Sequence, residues 1–212
     1  MKFLEEETLN FEETLKKHDI GIHYLALHVL DYIFFQIDDY QGIETHQLAA
    51  IEGMKKIALW RMLTRAKYLE IRRGSKQHFS NEELLKNWQH AYGTTIYSIL
   101  PKLMKAEREN LTDFFKEYPA KECYDYAKDK ELVESYHHAF VDPPYGNSTG
   151  RKDFKKLNQL IFPNQQDLII YRWNDDWSDY FDAGKEWWGT FYWTIYDPTS
   201  KRMTIIGGSA TD

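Results

Sequence analysis

The stretch from Asp167 to Asp212 limits what this chain can become more than any other part of it. Five of the seven tryptophans lie there: Trp173, Trp177, Trp187, Trp188 and Trp193. Two segments within it are rich in β-branched and aromatic residues. Leu168 to Trp173 reads Leu-Ile-Ile-Tyr-Arg-Trp, and Thr190 to Tyr196 reads Thr-Phe-Tyr-Trp-Thr-Ile-Tyr. Such residues suit a pleated surface, so both segments predict strands. Asp197-Pro198-Thr199-Ser200 follows with turn chemistry, because Pro fixes φ while Asp and Ser bond their own backbone. Arg202 to Ile206 then predicts the return strand of a β-hairpin. Alternation places Phe191, Trp193 and Ile195 on one face and Tyr192, Thr194 and Tyr196 on the other. Two aromatic faces imply a sheet covered on both sides, or one face kept as a contact surface.

The rest of the chain reads differently. Residues 3–39 carry apolar residues at helical spacing: Ile20, Tyr24, Leu27, Leu30 and Phe34 on one face, and Ile22, Leu25, Val29, Ile33 and Ile37 beside it. A helix apolar on so many sides predicts the centre of a bundle. A second helix is expected from about Thr45 to Ile71, with Leu48, Ile51, Met54, Ile57, Met62 and Leu63 as its stripe. Ser80-Asn81-Glu82-Glu83 is a capping box and starts a helix expected to run to about Leu100. Residues 102–117 and 120–137 predict two more helices. Ala139-Phe140-Val141 is a strand candidate, and Asp153 to Phe162 a short helix. The fold class expected is α+β: a bundle of about five helices over 1–136, then 137–212 as a small antiparallel sheet ending in the hairpin. The two parts could form one continuous domain.

Composition excludes several classes. At 212 residues the chain can bury a substantial core. No apolar run reaches the ~18 residues of a membrane span, so no membrane role is expected. Met1-Lys2-Phe3-Leu4-Glu5-Glu6-Glu7 has no apolar h-region and does not read as a secretory signal. The lone Cys123 rules out an intrachain disulfide and points to a reducing, cytoplasmic setting. Net charge is −6, unevenly spread. Residues 1–50 hold three Lys against ten acids, whereas 51–110 hold twelve Lys or Arg against six Glu. The basic segment 55–76 is a candidate nucleic-acid contact, or simply solvated helix faces.

Five patterns could carry chemistry. Asp142-Pro143-Pro144-Tyr145 resembles the D-P-P-Y motif of the methyltransferases that act on amino groups of nucleic-acid bases. The resemblance implies S-adenosylmethionine, an acid and a proline carbonyl that hold the target amine, and an aromatic ring stacked on the extruded base. Arg73 and His78 have the R-x4-H spacing of the HEPN family of helical ribonucleases, which implies that Arg stabilises phosphate and His acts as acid or base. Glu134 and His137 form an E-x-x-H without the second copy that a di-metal bundle needs. His18, His23 and His28 are spaced by five and do not share a helical face. No cofactor or metal is expected.

The fifth pattern is the loop after the Trp173 strand. Arg172, Trp173, Asp175, Asp176, Trp177, Asp179, Tyr180, Asp182, Glu186, Trp187 and Trp188 mix carboxylates with large aromatics. The loop lacks the register of a calcium site. Trp and Tyr supply contact area with few rotamers to freeze, and acids steer a basic partner. The expected function is therefore non-catalytic protein binding of the immunity or inhibitor kind, with these residues as the contact. The ribonuclease is the alternative, and the base methyltransferase the more remote one.

Overall fold

The structure is a computed structural model that describes residues 1–20, 29–75, 77–119, 128–144, 151–186 and 188–210. Six strands form one sheet: β1 (Lys2–Phe3), β2 (Leu30–Gln36), β3 (Ala106–Glu109), β4 (Ile169–Trp173), β5 (Thr190–Asp197) and β6 (Arg202–Ser209). Their order is β1-β2-β6-β5-β4-β3, and every neighbouring pair is antiparallel. The helices are α1 (Glu5–Leu9), α2 (Phe11–Lys17), α3 (Ile43–Arg72), α4 (Asn81–Tyr92), α5 (Leu111–Phe114), α6 (Lys130–Val133), α7 (Tyr136–Val141), α8 (Arg151–Ile161) and α9 (Asp182–Lys185). The protein is α+β, with an antiparallel sheet between two helical layers.

The hairpin forms as its residues dictate. Thr199 N donates to Asp197 Oδ1 (2.9 Å), Ser200 Oγ to Asp197 Oδ2 (2.7 Å), and Lys201 takes φ 53° to close the turn. Trp193 pairs with Ile206 and Tyr196 with Met203. Both faces of β5 are buried from Phe191 onward.

On one face lies α3. Tyr192 OH donates to Ala50 O (2.8 Å), so the helix backbone sits close to the sheet. Gly53 permits this approach: a Cβ there would stand 2.9 Å from Ile205 and 3.0 Å from the Tyr192 hydroxyl. On the opposite face α2, α5, α7 and α8 bring aromatic rings onto the strands. Phe11 packs on Tyr32 and Phe34, while Phe114 and Tyr136 pack on Trp193. Tyr136 in turn meets Phe154. A second, smaller core of Leu63, Ala66 and Leu84 joins α3 to α4.

Four expectations need correction. Leu30–Gln36 is the strand β2, not the end of a long helix; it pairs with β6 from Leu30↔Gly208 to Gln36↔Arg202. Helix α4 stops at Tyr92 because Gly93 (φ 80°) caps it, so 94–100 is not helical. The expected helix 102–117 is instead a 3₁₀ turn (Pro101–Leu103), β3 and α5. Ala139, Phe140 and Val141 lie in α7, whose N-cap Ser135 accepts from His138 N, rather than in a strand. The sheet therefore takes β1, β2 and β3 from before residue 136 and β4, β5 and β6 from after it.

Candidate functional site

The loop between β4 and β5 is held by its own polar groups. Asn174 extends the β3–β4 ladder: its N–H donates to Lys105 O (3.0 Å) and its Oδ1 accepts from Lys105 N (2.7 Å). Trp177 Nε1 then donates to Asn174 O (2.7 Å), which turns the indole inward between Phe181 and Tyr192. Ser178 Oγ accepts from Tyr180 N and starts the 3₁₀ turn Asp179–Phe181. In α9, Gly184 N donates to Ser209 Oγ (2.9 Å), and Gly189 N returns to Gly184 O (2.9 Å). A Cβ on Gly184 would overlap the Gly189 carbonyl, so glycine is required there.

The aromatic residues of the loop sort by position. Trp177 is 0% exposed and Tyr180 2%, so neither offers surface to a partner; this corrects the expectation that they are contact anchors. Their apolar mass stabilises the loop by packing instead. Trp173 is buried too, with its Nε1 donating to Thr194 Oγ1 (3.0 Å). Trp188 is 8% exposed, packs on Phe191 and donates from Nε1 to Asp142 O (3.0 Å). Trp187 lies outside the described residues. Asp176, Asp179, Asp182 and Glu186 are exposed. Asp179 Oδ1 accepts from Ser98 N (2.9 Å), and Lys185 lies 3.8 Å from Asp176 and 4.0 Å from Asp182.

Beneath the loop is a cleft of about 710 Å³. It opens where the start of β3, the end of β4 and the start of β5 meet α6 and α9. Of the residues singled out by sequence, Arg172, Trp173, Asp175 and Trp188 line it. Lys105, Glu107, Lys130, Glu134 and Lys185 line it as well, and the sequence reading missed their role. Arg172 Nη1 donates to Glu134 Oε2 (3.1 Å), and Lys130 stands 3.8 Å from Glu134. Thr190 Oγ1 donates to Asp175 Oδ2 (2.8 Å). Glu107 is exposed on β3 opposite Arg172 in the register. The walls therefore carry both signs of charge over an apolar floor of Trp173, Trp188 and Phe191. Such a cleft suits binding and orientation.

Two buried polar clusters lie away from the cleft, on the α3 face. Arg61 Nε reaches both Asp31 oxygens (3.2 and 3.0 Å), and its Nη2 donates to Tyr180 OH (3.2 Å). Tyr180 OH donates to Asp31 Oδ2 (2.8 Å). Burial works against the guanidinium charge, but Asp31, Tyr180 and Tyr97 together outweigh it and push the Arg61 pKa up. The second cluster centres on His46, fully buried between Thr194 Oγ1 (2.7 Å) and Tyr40 OH (3.0 Å). Burial lowers its pKa to about 4, and burial also pushes the Tyr40 hydroxyl up to about 12. Each cluster ties α3 to the sheet, and each is satisfied internally.

The remaining motifs do not assemble into sites among the described residues. Arg73 caps α3, donates to Glu70 (2.9 Å) and is exposed, as is His78; no described cleft contains both. In the basic segment, Lys55 pairs with Glu52, Arg61 with buried Asp31, and Lys56 lies over the Phe3 ring. Asp142 follows a helix, Tyr145 lies outside the described residues, and Gly207–Gly208 sit inside β6 rather than in a strand-to-helix loop. The antiparallel sheet differs from the parallel doubly wound one that the methyltransferase resemblance implies. Glu134 is engaged by Arg172. His18 caps α2, while His23, His28 and Cys123 lie outside the described residues. No group of three or more metal-capable side chains gathers among the described residues, and no described helix is long and apolar enough to cross a membrane.

No family model matches this chain, and no curated protein matches it either. Among solved structures, a crystal structure of citrus MAF1 is similar at 14% identity over 91% of this chain and 93% of that one, with a TM-score of 0.31. A superposition that loose carries no argument about fold or function.

Proposed function

We propose that this chain is a non-catalytic protein-binding module of the immunity or inhibitor kind, acting in the cytoplasm. Its contact face is the 174–189 loop with the cleft beneath. One observation carries the reading: the loop drives Trp177, Tyr180 and Phe181 into the core and leaves Asp176, Asp179, Asp182 and Glu186 in solvent. Carboxylates on so stiff a base are pre-organised, so little side-chain or loop entropy is lost on contact. Exposed acid also speeds encounter with a basic partner. The cleft accepts a side chain or chain end from that partner. Its apolar floor gives contact area, and the walls, where Lys105 stands just before β3 and Glu107 on it, give orientation.

The test is a photo-crosslinking residue at exposed Ala183, introduced in the native host. A protein captured there, purified, and bound at least about tenfold more weakly by the Asp176→Lys/Asp182→Lys chain supports the proposal, a loss of ~1.4 kcal/mol. Purified chain that degrades RNA, with activity lost in His78→Ala, would overturn it in favour of the ribonuclease.

A further inference from the structure

Four of the eight large apolar side chains exposed among the described residues fall between 92 and 103: Tyr92, Ile96, Leu100 and Leu103. Ile96 is 79% exposed and Leu100 52%. This is no frayed loop. From Thr94 to Leu100 exposure alternates residue by residue, as in a strand, with Thr95, Tyr97 and Ile99 turned inward. Tyr97 packs edge-on against Tyr180. Ser98 N donates to Asp179 Oδ1 (2.9 Å), Leu100 N to Trp177 O (2.7 Å), and Thr95 N to Met62 Sδ (3.3 Å). Gln47 Nε2 of α3 reaches Pro101 O (3.5 Å) and ties the strap's far end to the helix. The backbone is thus fixed by its inner residues, while Ile96 and Leu100 on the outer side, beside Thr94 and Ser98, show hydrocarbon to water. Ile96, Leu100 and Leu103, interrupted by Ser98 but carried on a firmly held backbone, mark a contact surface.

The charges beside the strip say what covers it. Asp179 sits beside Ser98, on the N-terminal side of Leu100, and Lys102 is exposed on its C-terminal side, past Pro101. Acid on one side of Leu100 and base on the other make the strip complementary to its own inverted copy. A two-fold axis near Leu100 sets that residue against itself, Ile96 against Leu103, and Lys102 against Asp179 of the partner subunit. This is the isologous arrangement that closed dimers use. We infer that the chain forms a homodimer through the strap 94–104, centred on Leu100. The surface adjoins the acidic loop, yet its occupancy does not depend on a foreign partner.

The test is the mass of the full chain in solution across a concentration series, by sedimentation or by light scattering on a sizing column. The wild-type chain is expected to move from 25.4 kDa toward twice that mass as concentration rises. Leu100→Asp raises the dimer dissociation constant at least about tenfold, because a charge is buried against its mate. Lys102→Glu weakens it by setting like charges together, whereas Asp179→Asn keeps the acceptor for Ser98 and reports the loss of charge alone. Ile71→Asp, at an exposed site on the end of α3, leaves the dimer intact and controls for surface charge. Wild-type protein that stays monomeric throughout, or a Leu100→Asp chain as dimeric as wild type, would overturn the inference. Neither result bears on the crosslinking test of the acidic loop.

Discussion

Arg61 Nη2 lies 2.8 Å from Asp31 Oδ2, with the carboxylate buried at 5% exposure between α3 and β2. Tyr180 from the β4–β5 loop joins the pair through its hydroxyl. One ion pair thereby fastens the long helix, the N-terminal half of the sheet and the candidate contact loop to one another.

Removing the cation leaves a buried charge unpaired, which costs far more than the pair gains over a hydrophobic replacement. Arg61→Met is expected to lose about 3–5 kcal/mol of stability. Urea denaturation followed by tryptophan fluorescence measures it. An unchanged midpoint would show that Asp31 finds another partner or protonates at little cost.

His46 makes stability depend on pH. Its folded pKa, lowered to about 4 by burial, lies below the ordinary 6.5. The neutral ring is the form that folds, so the contribution is complete above 6.5 and is lost as pH falls toward 4. The size is about 3 kcal/mol from the linkage relation, and the loss levels off below the folded value. Denaturation midpoints measured from pH 7 to pH 4 should fall steeply in the wild type and less steeply in His46→Gln.

Trp177→Ala should cost about 3–5 kcal/mol, the usual range for emptying a buried aromatic site. The readout is thermal or urea unfolding. A loss below 1 kcal/mol would mean that the indole is not part of the core.

Gly184→Ala forces a Cβ into the Gly189 carbonyl. Moving that backbone costs roughly 1–3 kcal/mol and disturbs the cleft wall. By contrast Asp176→Lys and Asp182→Lys, both exposed, should change stability by less than about 0.5 kcal/mol. Unfolding curves for the variants distinguish a structural role from a contact role.

Part of this architecture was legible in the residues. The hairpin followed from alternation and from Asp197 at its turn, where local bonds form whatever the rest of the chain does. The capping box at Ser80 and Glu83 forms with both reciprocal bonds. Helix α3, expected from about Thr45 to Ile71, runs from Ile43 to Arg72. Four cleft residues, Arg172, Trp173, Asp175 and Trp188, stood in the loop that sequence singled out. The other side of the cleft did not, because Lys105 and Glu107 meet it through a strand whose Ala-Glu-Arg-Glu composition favours a helix.

The sequence alone determined the elements that local chemistry settles: the β5–β6 turn, the α4 cap, and the long helix with its small residues. Tertiary structure decided β2. Leu30 to Phe35 is apolar at nearly every position, and periodicity reports only which side of an element faces water. A strand between β1 and β6, buried on both faces, has no such side, so its pattern matches a central helix equally well. The choice came from pairing with residues 202–208, which no local window contains.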